Sequence, residues 1–368
     1  MKITFVLPGL PPVPQGGPTI VYRYAEELAA RGHAVTVVHC RIPSAPIGLH
    51  DWLKSLAWRG RRFYRSRSGR PKWYRLDPAV RSVVARTLRV RSVPEGDAVI
   101  ATSCETATPV ASLPAESGTK YYLIQGYEDW VMDPAVLEDT WRLPMSKIVI
   151  SRWLLEIAER LGECERTTYI PNGIDLAEFP LVDPPEERKP GSIGLLGHAL
   201  THKGTAVGVA AVEALRSEFR DITLTVVGTG ERSADLPSWV EYVRNPSRPE
   251  LARLYNSFAL FVHPSTSEGF GLTPAEAMLS GCTVVGYANC GIKEYATNEE
   301  TALLVPVGDR AALTAAIRRA MTDDQLRYRL ARAGRRAVSS LTWERAVDAF
   351  ESVLTDNVDR STSLPMRH

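Results

Sequence analysis

Two carboxylates, Glu268 and Glu276, flank the stretch Gly269-Phe270-Gly271-Leu272-Thr273-Pro274-Ala275. The apolar run at 258–262 before them reads as a buried strand. Thr273-Pro274 reads as a helix start, with a hydroxyl at the N-cap and proline at the first helical position. Glycines in the turn let backbone approach a ligand closely, and a helix N-terminus offers free N–H groups and partial positive charge. That is a cradle for phosphate. Two flanking carboxylates add acceptors for hydroxyl groups, so the chemistry implied is binding of a hydroxyl-bearing anion, a sugar nucleotide. A second reading stands beside it. Thr273-x-x-Glu276 is also a capping box, in which the glutamate returns to the Thr273 N–H, and Glu268 alone reads as a surface residue at a strand end.

Positioning such a site requires strands that deliver loops to one edge. Residues 3–7 form the first predicted strand, followed by a Pro/Gly loop through Pro18 and a helix over 19–31. Val21, Tyr24, Ala25 and Leu28 share one face of that helix, and Gly32 ends it. Further strands are expected at 35–38, 98–101, 121–124 and 148–150, each almost wholly apolar, as a parallel sheet covered on both faces requires. A segment at 171–191, rich in proline and charge, reads as a linker. The alternation then restarts with strands at 193–196, 223–227, 239–243, 258–262 and 283–285 and a helix after Lys203. The expectation is an α/β chain of two doubly wound, Rossmann-like domains facing a cleft, residues 1–170 and 171–342. An amphipathic helix from Trp343 to about residue 355 and a polar, disordered tail after Asn357 complete residues 343–368.

Size and composition agree. A chain of 368 residues exceeds what one core usually serves, and 44% hydrophobic with 23% charged residues is ordinary for a soluble globular protein. Cys40, Cys104, Cys164, Cys282 and Cys290 are widely spaced without a C-x-x-C, which suggests reduced thiols and a cytoplasmic protein. No His/Cys cluster or Asp-x-Asp suggests a metal, and no apolar run approaches a membrane span.

The Glu268–Glu276 stretch resembles the signature of the retaining glycosyltransferases of family four, which have the GT-B fold. The resemblance implies transfer of a sugar from a nucleotide-diphosphate donor to a hydroxyl acceptor, without metal or cofactor. A donor phosphate oxygen would take the acceptor proton, so no protein nucleophile is needed. By that resemblance Glu268 is the catalytic-site carboxylate and Glu276 the ribose ligand. Phe270, Gly271, Leu272 and Thr273 would line the sugar and diphosphate. Gly16-Gly17, before the first predicted helix, corresponds to a loop that faces the diphosphate from the N-terminal domain. In Gly197-His198-Ala199-Leu200-Thr201-His202-Lys203-Gly204, Lys203 fits the phosphate-binding lysine, whereas His198 stands where an arginine is usual. Gly228 and Val243 fall in segments expected near the nucleobase. Thr102, Gln125, Tyr127 and Glu128 fall on the expected acceptor side; Gly126 stands where related mannosyl- and rhamnosyltransferases often carry a histidine. The last helix is expected to cross back onto the first domain.

Residues 54–75 hold Lys54, Arg59, Arg61, Arg62, Arg65, Arg67, Arg70, Lys72 and Arg75, interleaved with aromatics and without Asp or Glu. This suits peripheral contact with an anionic membrane or an acidic acceptor, or else a solvated loop; it also suits nucleic acid, though no nucleic-acid-binding motif accompanies it and no nucleic acid is expected as a partner. Two other functions stay open at this level: another GT-B enzyme such as a sugar-nucleotide epimerase, and a non-catalytic basic adaptor.

Overall fold

The structure is a computed structural model that describes residues 1–40, 69–85, 88 and 92–362, with side chains to residue 356. Most of the basic stretch at 54–75 therefore lies outside the described residues. The chain divides into two compact units, Met1–Pro171 with the segment from Glu344 onward, and Asn172–Trp343.

Among the described residues the first unit carries seven parallel strands: β1 (Lys2–Leu7), β2 (Ala34–Cys40), β3 (Arg81–Ala85), β4 (Ala98–Ala101), β5 (Thr119–Ile124), β6 (Ser146–Val149) and β7 (Thr167–Tyr169). Their order is β3-β2-β1-β4-β5-β6-β7. After its first residue β1 is buried throughout, and β4 is buried at every position, which is why their sequences show no polar alternation. Helix α1 (Gly16–Ala30) follows β1, and α2 (Cys104–Ala111), α3 (Pro134–Trp141) and α4 (Arg152–Arg160) follow β4, β5 and β6.

Helix α1 begins three residues earlier than its sequence suggests. Gly16, Gly17 and Pro18 are poor helix formers, but in a first turn the amides need no intrahelical acceptor and proline loses nothing. The turn is closed by Thr19, whose N–H and Oγ1 both donate to the Gln15 carbonyl at 3.1 and 2.8 Å. Gly16 and Gly17 are thus helix N-terminal amides rather than loop residues.

The second unit carries six parallel strands: β8 (Ser192–Gly197), β9 (Thr223–Gly228), β10 (Glu241–Arg244), β11 (Leu260–His263), β12 (Thr283–Tyr287) and β13 (Leu303–Val305). The order is β10-β9-β8-β11-β12-β13. Helices α5 (Thr205–Glu213), α6 (Arg248–Ser257), α7 (Leu272–Leu279), α8 (Arg310–Thr322) and α9 (Asp324–Val338) connect and cover them. One core of Ile193, Leu195, Val212, Leu224, Leu260, Val262, Val285, Leu313, Ile317 and Leu330, among others, joins sheet to helices.

The segment at 171–191 is not a free linker. Phe179 is fully buried, and Ile174 bridges to Thr342. Arg188 is 6% exposed and donates to the carbonyls of Asp183, Tyr255, Phe258 and Ser280. Those carbonyls include the C-terminal ends of α6 and α7, where the dipole favours a cation and unpaired carbonyls need donors. Proline and charge thus marked a built-in clamp.

Helix α10 (Trp343–Thr362) belongs from Glu344 onward to the first unit, and its backbone continues past Asn357, where the sequence suggests disorder. Ala346, Val347, Phe350 and Leu354 form its buried stripe. Phe350 stacks on Tyr24 and Phe5 at centroid distances of 4.4 and 5.9 Å, and Glu351 accepts from Arg31 and His33 at 2.7 and 2.6 Å.

Candidate active site

In the second unit the strand order reverses between the adjacent strands β8 and β11. Loops leaving the carboxyl ends of such a pair diverge and leave a crevice, the usual ligand site of open α/β sheets. The loop after β8 carries His198 and Lys203; the loop after β11 carries Glu268.

Backbone bonds hold the two loops together. Thr266 N–H and Ser265 Oγ both donate to the His202 carbonyl, at 2.8 and 3.1 Å. Gly204 has φ +69, and a Cβ there would lie 2.2 Å from the Pro264 carbonyl oxygen, so only glycine permits this approach. Lys203 Nζ, brought in by these constraints, donates to Glu268 Oε2 at 2.7 Å across 65 residues of sequence. The side chains are 19% and 11% exposed.

A third loop, after β12, backs this pair. A Cβ on Gly291 would fall 2.7 Å from Glu268 Cβ. Asn289 Nδ2 donates to the Ser265 carbonyl at 2.9 Å and sits 3.2 Å from His263 Nε2, while its Oδ1 accepts from Ile292 N–H at 3.0 Å. Burial raises the Glu268 pKa, but neighbouring positive charge and donors outweigh it and hold the carboxyl below its ordinary value. His263 is itself kept neutral by burial, so Lys203 supplies that charge.

Glu276 lies in the first turns of α7 and is 7% exposed. Both Arg248 Nη atoms reach its Oε1, at 3.2 and 3.1 Å, and Tyr255 Oη donates to Oε2 at 3.2 Å. Arg248 also holds Glu178 through two bonds of 2.7 Å and lies over the Phe179 ring. The capping box is therefore not formed. The N-cap is Gly271, at φ 85 and without a side-chain cap, and Thr273 lies inside the helix. The left-handed glycine turns the chain into the helix earlier than a hydroxyl cap at Thr273 would, and leaves the amides of Leu272 and Thr273 uncapped by a side chain.

The remaining positions divide. His198 and Gly228 adjoin this loop system: Gly197 and Gly228 pair in register, and Tyr242 Oη lies 2.5 Å from where a Gly228 Cβ would be. Val243 is half-buried on the edge strand β10. Phe270 does not line an open site with its ring, which is 3% exposed and packs on Tyr295. Only its backbone is available there.

In the first unit, strand order reverses between β1 and β4, and the residues fall after the carboxyl ends of β1, β4 and the neighbouring β5. A Cβ on Gly17 would meet Gln125 Nε2 at 3.5 Å, and Gln125 Oε1 is buried without a partner among the described residues. Thr102 Oγ1 donates to the Val6 carbonyl at 2.8 Å, and Tyr127 Oη to Glu138 at 3.2 Å. Glu128 Oε2 accepts the Cys104 N–H at 2.6 Å, so it sits at the N-terminus of α2, and burial pushes its pKa up.

Sequence reading missed Arg248, Tyr255, Asn289 and Gly291. Arg248 stands in Ser247-Arg248-Pro249-Glu250, which reads as a helix cap, and it is one: Ser247 N–H donates to Glu250 at 2.7 Å. Its second task has no local signal. Among the described residues no group of His, Cys, Asp and Glu side chains is arranged to hold a metal.

A pH dependence follows from two buried rings. Burial pushes His263 in this unit and His39 in the other down to about 4. The unfolded rings take protons near 6.5. Their contribution to stability is therefore complete above that pH and is lost as pH falls from about 6.5 to about 4. Thermal denaturation is expected to show a falling melting temperature from pH 7 to pH 5, with a shallower fall in His263→Gln.

Residues 183–337 match the model of the family described as glycosyl transferases group 1. Over 347 residues the chain is 27% identical to a phosphatidyl-myo-inositol mannosyltransferase of Mycolicibacterium smegmatis, covering 89% of this chain and 86% of that one. Among solved structures, sucrose-phosphate synthase from Thermosynechococcus elongatus superposes with a TM-score of 0.71 at 20% identity, covering 98% of this chain and 99% of that one. Anabaena HepE in complex with UDP and glucose gives 0.73 at 17%, covering 97% and 100%. The fold is that of GT-B proteins, and with the family match and the mannosyltransferase similarity it makes the chain a GT-B glycosyltransferase. The chain is similar to the group 1 family over residues 183–337, and it moves a sugar from a nucleotide-sugar donor.

Proposed function

We propose that the chain is a retaining, metal-independent hexosyltransferase whose donor diphosphate is held in the second unit by Lys203 and the N-terminus of α7. The observation that carries this reading is the Lys203–Glu268 pair, a partly buried ammonium and carboxylate brought together at the switch point from two separate loops. A diphosphate leaving group needs fixed positive charge, and Lys203 with the Leu272 and Thr273 amides supplies it without a metal. Glu268, ionised by its surroundings, accepts hydrogen bonds from donor sugar hydroxyls and stabilises positive charge developing at the anomeric carbon. The departing phosphate oxygen takes the acceptor proton. Glu276, fixed by Arg248 and Tyr255, accepts the ribose hydroxyls. The mannosyltransferase relative acts, by its name, on phosphatidyl-myo-inositol. That favours a hydroxyl of a lipid-linked or polyol acceptor, with residues 54–75 as the peripheral membrane contact; no helix among the described residues is long and apolar enough to span a bilayer.

The test is a thermal-shift panel of UDP-, GDP-, ADP- and dTDP-sugars, since a donor that binds the folded chain raises its melting temperature by mass action. One nucleotide class is expected to stabilise the chain, equally with EDTA present, and less in Glu276→Gln. Transfer products are expected to keep the donor's anomeric configuration. Conversion of donor without any acceptor would instead identify an epimerase, and stabilisation by none of the sugars would overturn the donor-site reading.

A further inference from the structure

The loop after β8 fixes not only where His198 sits but which nitrogen carries its proton. Nδ1 accepts the Leu200 N–H at 3.0 Å, and the His198 N–H donates to Thr205 Oγ1 at 3.0 Å. Thr205 Oγ1 in turn donates to the Leu196 carbonyl at 3.0 Å. A ring nitrogen that accepts a hydrogen bond cannot hold a proton, so the neutral ring carries its proton on Nε2. Making the imidazolium would put N–H against N–H at Leu200 and break the bond that shapes the loop.

We propose that His198 is a donor-binding residue that offers the donor phosphates a neutral Nε2–H, a locked tautomer in place of a second cation. This rests on the donor-site reading above, and it specifies how that site differs from one built with an arginine. The groups that act on the ring are Lys203 and His202 on its own loop and Glu268 on the facing loop; burial, then Lys203 and His202, lower its pKa, and Glu268 opposes them. A neutral donor contributes roughly half the strength of a charged one. The site therefore holds the nucleoside diphosphate product with a single ammonium, and binding takes up no proton at this ring. Weaker product retention is the functional consequence.

Nitrogen-15 NMR of the full chain tests the tautomer directly. In the free protein at pH 7, His198 is expected to show a protonated Nε2 and an unprotonated Nδ1, and to keep that pattern with the nucleoside diphosphate selected by the panel. The affinity for that diphosphate is expected to follow only the diphosphate's own terminal ionisation, at about pH 6, with the same pH profile in His198→Gln. His198→Gln, whose amide can stand in for Nε2–H, should retain most of the affinity, and His198→Ala should weaken it by up to about tenfold. His198→Arg should bind the diphosphate about tenfold more tightly, the difference between a charged and a neutral hydrogen bond. An imidazolium signature in the complex, or affinity that rises as pH falls through 7, would overturn the proposal while leaving the donor site intact. If no diphosphate binds, the donor-site reading fails instead, and the free-protein spectrum still decides the tautomer.

Discussion

Glu268→Gln is expected to lower kcat by at least about 10²–10³-fold, the scale on which loss of one preorganised electrostatic group slows an enzyme. The substitution keeps the side chain's volume and an oxygen that can accept from Lys203, and it removes only the charge. The wall behind it, where Gly291 leaves no room for a Cβ beside Glu268, stays intact. Melting temperature should therefore change by no more than about 4 °C, corresponding to about 1 kcal/mol. Glu268→Ala should be at least as inactive, with a larger loss of stability because the Lys203 ammonium, 19% exposed, loses its partner. Turnover near that of the unmodified enzyme in Glu268→Gln would remove this carboxylate from the chemistry.

The largest effect on stability is expected at Arg188. Its guanidinium fills a buried position and satisfies four carbonyls, those of Asp183, Tyr255, Phe258 and Ser280, which are left without these donors in Arg188→Met. Asp183 is exposed and the Tyr255 carbonyl keeps the Phe258 N–H and Cys282 Sγ, so the main cost comes from the Phe258 and Ser280 carbonyls, about 1–3 kcal/mol for each one orphaned. Water entering the space recovers part, and a net loss of about 4 kcal/mol is expected, roughly 10 °C in melting temperature for the second unit. Burial lowers the Arg188 pKa, yet the group keeps its proton at any working pH, so the loss should not depend on pH between 6 and 8. Arg188→Lys should fall between, since one ammonium cannot reach carbonyls spread around a planar fork. A loss below about 1 kcal/mol in Arg188→Met, measured by denaturant titration, would show that the clamp is not what fixes this segment to the unit.

Strands were the most legible part of the chain. The apolar runs at 98–101 and 193–196 fall within β4 and β8 because parallel strands covered on both faces carry no competing polar pattern. Helix starts were less legible. Gly16 and Gly17 are weak helix formers, and nothing local says that their amides begin α1; Thr273-Pro274 reads as a start because Gly271, left-handed and capless, leaves no side-chain signature. The 171–191 segment misleads for a related reason. Arg188 looks like surface charge until the carbonyl ends of α6 and α7, distant in sequence, are folded around it.

The candidate site divides the same way. Glu268 and Lys203 stand out by type and spacing, since each lies in a short glycine-containing turn, and Glu276 by its place in the helix that follows Gly271. Arg248, Tyr255 and Asn289 do not, because their work is to hold those residues across 20 or more positions, as in the Tyr255–Glu276 bond over 21 residues and the Asn289–Ser265 bond over 24. Long-range support of this kind leaves no periodicity to read.

The most direct measurement is a crystal structure of the chain with the nucleoside diphosphate that the thermal panel selects. Phosphate density is expected against Lys203 Nζ and the Leu272 and Thr273 amides, with the ribose hydroxyls on Glu276. Full occupancy at some other place, with the Lys203–Glu268 pair undisturbed and its surroundings empty, would contradict that.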